Sequence, residues 1–128
     1  AVNSITTRDY TVGIGDDAGT AITEGHRNVF LGWETGKATT TGSNNNAIGK
    51  HALLVNTTGG GNVAMGNGSL DANTTASYNT AIGYNTLGAN TTGTQNVALG
   101  SYALDANTTA DNNTAIGYQA ATQKVILM

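Results

Sequence analysis

Eight carboxylates and two histidines are the only side chains in this 128-residue chain that could move a proton or bind a metal near neutral pH, and cysteine is absent. His26 and His51 stand in variable turn positions. An enzyme needs titratable groups that converge in a cleft, and no spacing here brings them together, so no catalytic residue, cofactor or metal site is expected. Asp71 and Asp105 each precede an Asn by two residues, and Asp16 and Asp17 follow Gly15. Asp-x-Asn can offer oxygen ligands to Ca²⁺, but the acid-rich nonapeptide of calcium-binding solenoids is missing, and turn capping is the expected role. Asn56, Asn73, Asn90 and Asn107 open Asn-x-Thr strings that match the N-glycosylation acceptor; they read as turns with a Thr ladder. Among non-titrating groups, Trp33, Tyr84 and Tyr118 directly follow a repeated Gly, and Tyr102 lies two residues after Gly100. Exposed aromatics there can stack on a sugar or anchor a protein receptor. They can equally cover a seam between subunits.

What positions these residues is a repeat. Gly15, Gly32, Gly49, Gly66, Gly83, Gly100 and Gly117 are spaced by seventeen residues without insertion or deletion. An aliphatic or Met precedes each: Ile14, Leu31, Ile48, Met65, Ile82, Leu99 and Ile116. Asn28, Asn45, Asn62, Asn79, Asn96 and Asn113 form a third column, and Thr6, Thr23, Thr40, Thr57, Thr74, Thr91 and Thr108 a fourth. Leu53, Leu70, Leu87 and Leu104 form a fifth that degrades to Gly19 and Gly36 before it and Ala121 after it. Seventeen residues are too few for a helix pair but suit one coil of a β-solenoid. No window holds the apolar spacing of a helix, except near the C-terminus.

Stacked coils turn each column into a ladder with a rise of about 4.8 Å. Strings such as "NVALG" alternate, placing Val97 and Leu99 on one face and Asn96, Ala98 and Gly100 on the other. The aliphatic column from Ile14 to Ile116 is therefore expected to fill the core, with the Leu column as a second wall. Ala47, Ala64, Ala81, Ala98 and Ala115 are then expected to face outward against another chain. The Gly column implies positive φ or the approach of a neighbouring chain too close for a Cβ; Asn and Thr columns imply hydrogen-bonded ladders.

With 10% charged residues and a net charge of -3, no basic stripe for nucleic acid can form. No apolar run is long enough to insert in a membrane as a helix, and the start "AVNSITTRDY" lacks the features of a signal peptide.

The strings "NNAIGKHAL", "NVAMGNGSL", "NTAIGYNTL", "NVALGSYAL" and "NTAIGYQAA" resemble the head repeats of trimeric autotransporter adhesins, with the core motif Asn-Ser-Val-Ala-Ile-Gly. They are also similar to repeats of phage tail-fibre and other virion-fibre proteins. The resemblance spans residues 11 to 119. It implies an all-β, left-handed parallel β-roll, homotrimeric, with Val63, Met65, Val97 and Leu99 interior. It also implies an extracellular location on a virion fibre or a bacterial cell surface. The rigid period and the lack of a neck, stalk or anchor point to a fibre segment more than to a complete adhesin.

The sequence thus leads to a β-roll over residues 1–119, with a junction, cap or inter-subunit plug at 120–128. The expected function is non-enzymatic: an extracellular fibre segment that partners with itself, in a homotrimer or an end-to-end filament, and presents receptor- or glycan-binding positions. A monomeric ice- or surface-binding solenoid using the Thr ladder is the alternative.

Overall fold

Each Asn-x-Ala-aliphatic-Gly string makes one three-residue strand. The computed structural model describes residues 10–122, with β1 (Val12–Ile14), β2 (Val29–Leu31), β3 (Asn46–Ile48), β4 (Val63–Met65), β5 (Thr80–Ile82), β6 (Val97–Leu99) and β7 (Thr114–Ile116). The strands pair in chain order as one parallel sheet. Each register is the period of the sequence, from Val12 opposite Val29 to Val97 opposite Thr114. The fold is an all-β parallel solenoid of about six turns, with no helix among the described residues. Thr6 and the QKVILM tail, including the expected plug, lie outside those residues. Ala120 keeps the stacking pattern, its carbonyl accepting from the Leu104 N–H at 2.9 Å.

Away from the strands, backbone hydrogen bonds still run from coil to coil. The Thr57 N–H donates to the Thr74 carbonyl at 2.8 Å, Leu70 to Thr86 at 3.1 Å, and Tyr102 to Tyr84 at 2.8 Å. The Gly column has the expected positive φ, and the close approach comes from the next coil of the same chain. Gly66 has φ of 134°, and a Cβ there would run into the carbonyl of Gly83 on the next coil. The Leu column is also left-handed: Leu53, Leu70, Leu87 and Leu104 have φ between 50° and 54°. Such a conformation costs about 1–2 kcal/mol for a side chain with a Cβ. Burying each Leu is worth about 1.5–3 kcal/mol, and the column is buried, so burial wins.

The alternation of each strand was correctly expected, but its two faces are exchanged. Ala47, Ala64, Ala81, Ala98 and Ala115 line the interior and pack in one cluster with the Leu column. They cannot form an inter-subunit surface. The expected core column points outward: Ile14, Ile48, Met65, Ile82 and Ile116 are exposed, and Leu31 and Leu99 half-buried. Val63 and Val97, also expected inside, are half-buried on that outer face. The reason is space. The Leu column crosses the narrow coil and meets the sheet from behind, leaving room for little more than a methyl group.

The first coils show the same constraint in reverse. Where the Leu column becomes Gly19 and Gly36, the Ala column carries Phe30, fully buried. A Cβ built on Gly19 would lie 2.8 Å from the Phe30 ring, and one on Gly36 2.6 Å from it. One large side chain from the sheet replaces two from the bend.

Two Asn ladders complete the interior. Along the first, the Asn62 N–H donates to Asn45 Oδ1 at 3.0 Å and the Asn79 N–H to Asn62 Oδ1 at 3.0 Å. Along the second, Asn73 Nδ2 donates to Asn56 Oδ1 at 2.9 Å and Asn90 Nδ2 to Asn73 Oδ1 at 3.2 Å. The ladders meet on shared carbonyls. Ala76 O accepts from Asn62 Nδ2 at 2.9 Å and from Asn73 Nδ2 at 3.1 Å; Gly93 O accepts from Asn79 and Asn90 at 2.8 and 2.9 Å. Buried amides are thereby satisfied, as a low-dielectric interior requires.

Candidate functional site

Two surfaces of the solenoid depart from what a coil needs for its own stability. The first is the outer face of the sheet. Its seven strands each direct two side chains outward, mostly Val, Ile, Leu or Met with Asn46, Thr80 and Thr114 interspersed. The exposure of Met65 is 40% and that of Ile82 37% even in the middle of the stack. Large contiguous apolar surfaces are uncommon on monomeric soluble proteins.

The second is the corner after the Gly column, where the sequence varies most. Tyr84 and Tyr118 occupy the same repeat position two coils apart, and Tyr102 stands one place further along in the coil between. The Tyr84 and Tyr102 rings meet edge to face with centroids 5.4 Å apart, and Tyr102 and Tyr118 at 6.4 Å. The structure thus joins three of the four aromatics picked from the sequence. Partial burial pushes the pKa of Tyr102 up, with Tyr84 adding to the effect.

Trp33 lies apart, toward the N-terminal end. Its ring is 5.1 Å from that of His51, and the Lys50 ammonium sits 4.6 Å over it, a cation–π contact. An ion-pair network follows: Lys37 Nζ is 2.7 Å from Glu34 Oε1 and 3.0 Å from Asp17 Oδ2. The hydrogen bond from Lys37 lowers the Glu34 pKa, and the same bond raises that of Lys37. His51 Nε2 lies 3.1 Å from Glu34 Oε2 without hydrogen-bond alignment. His26 caps a different turn, its backbone N–H donating to Ser43 Oγ at 3.1 Å.

Between the two aromatic groups the corner is indented. One depression of about 290 Å³ is lined by Asp71, Asn85, Gly88, Ala89, Tyr102 and Asp105. A second, of about 240 Å³, shares Asp71 and Asn85 and runs on to Tyr84, Lys50 and His51. Partial burial raises the pKa of Asp71, opposed by backbone N–H donors at Ala72 and Asp71 itself. No group of three or more metal-ligating side chains occurs among the described residues. Of the acids weighed as calcium ligands, Asp17 is held by Lys37, and Asp71 and Asp105 line the indentation.

Three of the four Asn-x-Thr acceptors are not surface groups. Asn56, Asn73 and Asn90 are fully buried, and their amides are committed to the second ladder. The Thr column is committed too: the hydroxyls of Thr57, Thr74 and Thr91 donate to carbonyls on the next coil at 3.1–3.2 Å. The neighbours Thr58, Thr75, Thr92 and Thr109 are exposed, but on bends and turns rather than on a flat strand. What sequence reasoning missed at the corner is Asn85 and Gly88; the only sign of Gly88 is a Gly between Asp71 and Asp105 in one column.

No protein-family model, curated protein or solved structure matches the chain.

Proposed function

We propose that the chain is a non-enzymatic segment of an extracellular trimeric fibre, with structural extension and attachment to a surface as its work. The observation that carries this reading is the outward aliphatic face of the seven-stranded sheet. Covering it needs a partner with the same periodicity, because the aliphatic positions recur at each coil, and a second copy of this chain supplies that periodicity. Burial of an Ile or Met side chain is worth about 1.5–3 kcal/mol, so even partial cover repeated over seven strands favours association. Three is the expected number of chains from the resemblance of the repeats to adhesin heads and virion fibres, and the same resemblance supports a left-handed roll and a virion or cell-surface location. The aromatic corner lies on the bend beyond the sheet's Gly edge and is free to decorate the shaft.

Analytical ultracentrifugation tests the assembly. The chain is expected to sediment with three-chain mass, and the double variant Met65→Lys/Ile82→Lys with one-chain mass and unchanged far-UV circular dichroism. A one-chain mass for the unaltered protein overturns the reading.

A further inference from the structure

We infer that the indentation around Gly88 is a binding site for a neutral saccharide; this deepens the reading above, since it rests on the corner being the fibre's receptor-binding surface. The column of Gly88 reads Thr20, Lys37, Leu54, Asp71, Gly88, Asp105 and Thr122, so Gly88 is its one position without a side chain. The backbone dihedrals do not demand glycine there, because Gly88 is not among the residues with positive φ. A Cβ on it would lie 3.6 Å from Asp71 Oδ1 and 3.2 Å from the Asn85 carbonyl, so any longer side chain would project into the space between them. Glycine at this point keeps the notch open.

The groups around the opening suit hydroxyls and a flat C–H face. Asp71 and Asp105 come from coils two apart, about 9.6 Å along the axis, and the ion pairs found among the described residues involve neither of them. Their oxygens can each accept hydroxyl protons in charge-assisted bonds. Asn85 adds an amide that both donates and accepts. Tyr102, steadied edge-on by Tyr84 and Tyr118, offers a ring on which sugar C–H groups can pack. Such a combination of an apolar wall and a few convergent polar groups is how small-ligand sites achieve orientation and specificity.

Charge narrows the ligand. The two carboxylates repel acidic sugars, and the continuation of the groove toward Lys50 disfavours a polycation that crosses both depressions. An uncharged chain of hydroxyl-bearing rings meets neither penalty.

Saturation-transfer NMR of the assembled protein with uncharged gluco-, manno- and N-acetylglucosamine oligosaccharides tests the site. At least one is expected to give signals that titrate, with affinity at least about tenfold weaker in Gly88→Leu, a residue that Leu54 shows the column accepts. Asp105→Asn, which keeps shape and removes one charge, is expected to weaken the same ligand if Gly88→Leu fails to fold. Equal binding by a folded Gly88→Leu overturns the proposal. So does calorimetry that finds only Ca²⁺ or a lysine-rich peptide binding while every neutral saccharide is inert. Sedimentation separates the two readings: three-chain mass without saccharide binding sinks the notch alone, and one-chain mass with Gly88-dependent binding sinks the fibre alone.

Discussion

The ring of Phe30 occupies the space that a side chain on Gly36 would need: a Cβ built on Gly36 lies 2.6 Å from the ring atoms Cε1 and Cζ. In later coils the bend supplies Leu53, Leu70, Leu87 and Leu104 and the sheet supplies Ala, so the same interior is filled from the opposite side. Phe30→Ala alone should therefore leave a cavity and cost about 3–5 kcal/mol. Gly36→Leu alone should overpack and cost about 1–3 kcal/mol or more. The double variant rebuilds the pairing of the later coils and should be more stable than the sum of the two losses by more than about 1 kcal/mol. Urea denaturation of the four proteins checks this, and additive losses would show that the two positions do not share one volume.

Asn62 makes a different demand on the interior. Its Oδ1 accepts from the Asn79 N–H, and its Nδ2 donates to Ala76 O and Asn45 Oδ1 at 2.9 and 3.2 Å. Asn62→Leu keeps the branched shape, though with bulkier methyl groups, and orphans the Asn79 N–H in a buried site, a loss of about 1–3 kcal/mol on top of the broken bonds. Asn46→Ala, one strand position on the exposed face, should stay within about 0.5 kcal/mol of the parent. Comparable denaturation midpoints for the two variants would mean the ladder contributes nothing.

The sequence made the axis of the molecule legible but not the filling of its cross-section. Period, strand positions, parallel register, the positive φ of Gly66 and the Asn62–Asn79 ladder all follow from columns, because stacking repeats whatever one coil does. Which strand face is interior does not follow. Alternation separates Ala81 from Ile82, but the choice between them depends on how far Leu70 and Leu87 reach across the coil, a distance that no column encodes. Phe30 held the clue, since a large side chain in the Ala column paired with Gly19 and Gly36 makes sense only if that column is inside. The corner was half legible for a similar reason: the variable position after Gly100 places Tyr102 at the corner, where it was expected to be exposed, while its half-burial and its contact with Tyr84 and Tyr118 depend on the offset between coils.

Asp71 and Asp111 should respond to pH with opposite signs. Burial raises the folded-state pKa of Asp71, so its charged form weakens the fold above that value, and the penalty disappears as pH falls through it toward the unfolded value of about 3.9. Asp71→Asn is thus expected to raise the melting temperature at pH 7 and to change nothing at pH 3. Asp111 is the reverse: hydrogen bonds from the Thr94 backbone N–H and then its hydroxyl lower its pKa. The stability it contributes is present above about 3.9 and is lost as pH falls through the lower folded value. Asp111→Asn should lower the melting temperature at pH 7, and thermal melts of both variants at the two pH values read the signs directly.

Folding and glycosylation should exclude one another at Asn73. Both of its amide hydrogens are in use, one on Asn56 Oδ1 at 2.9 Å and one on Ala76 O at 3.1 Å, and the residue is fully buried. A glycan replaces one of those hydrogens and needs a path to solvent, which the stacked coils on either side deny. Expressed in a host that modifies Asn-x-Thr, the soluble chain that melts cooperatively should carry no sugar at Asn56, Asn73 or Asn90. Asn107, half-buried in the last described coil, should resist least. Glycopeptide mass spectrometry on the folded fraction measures occupancy site by site. Full occupancy of Asn73 in protein that still melts cooperatively would place that amide at the surface and undo the second ladder.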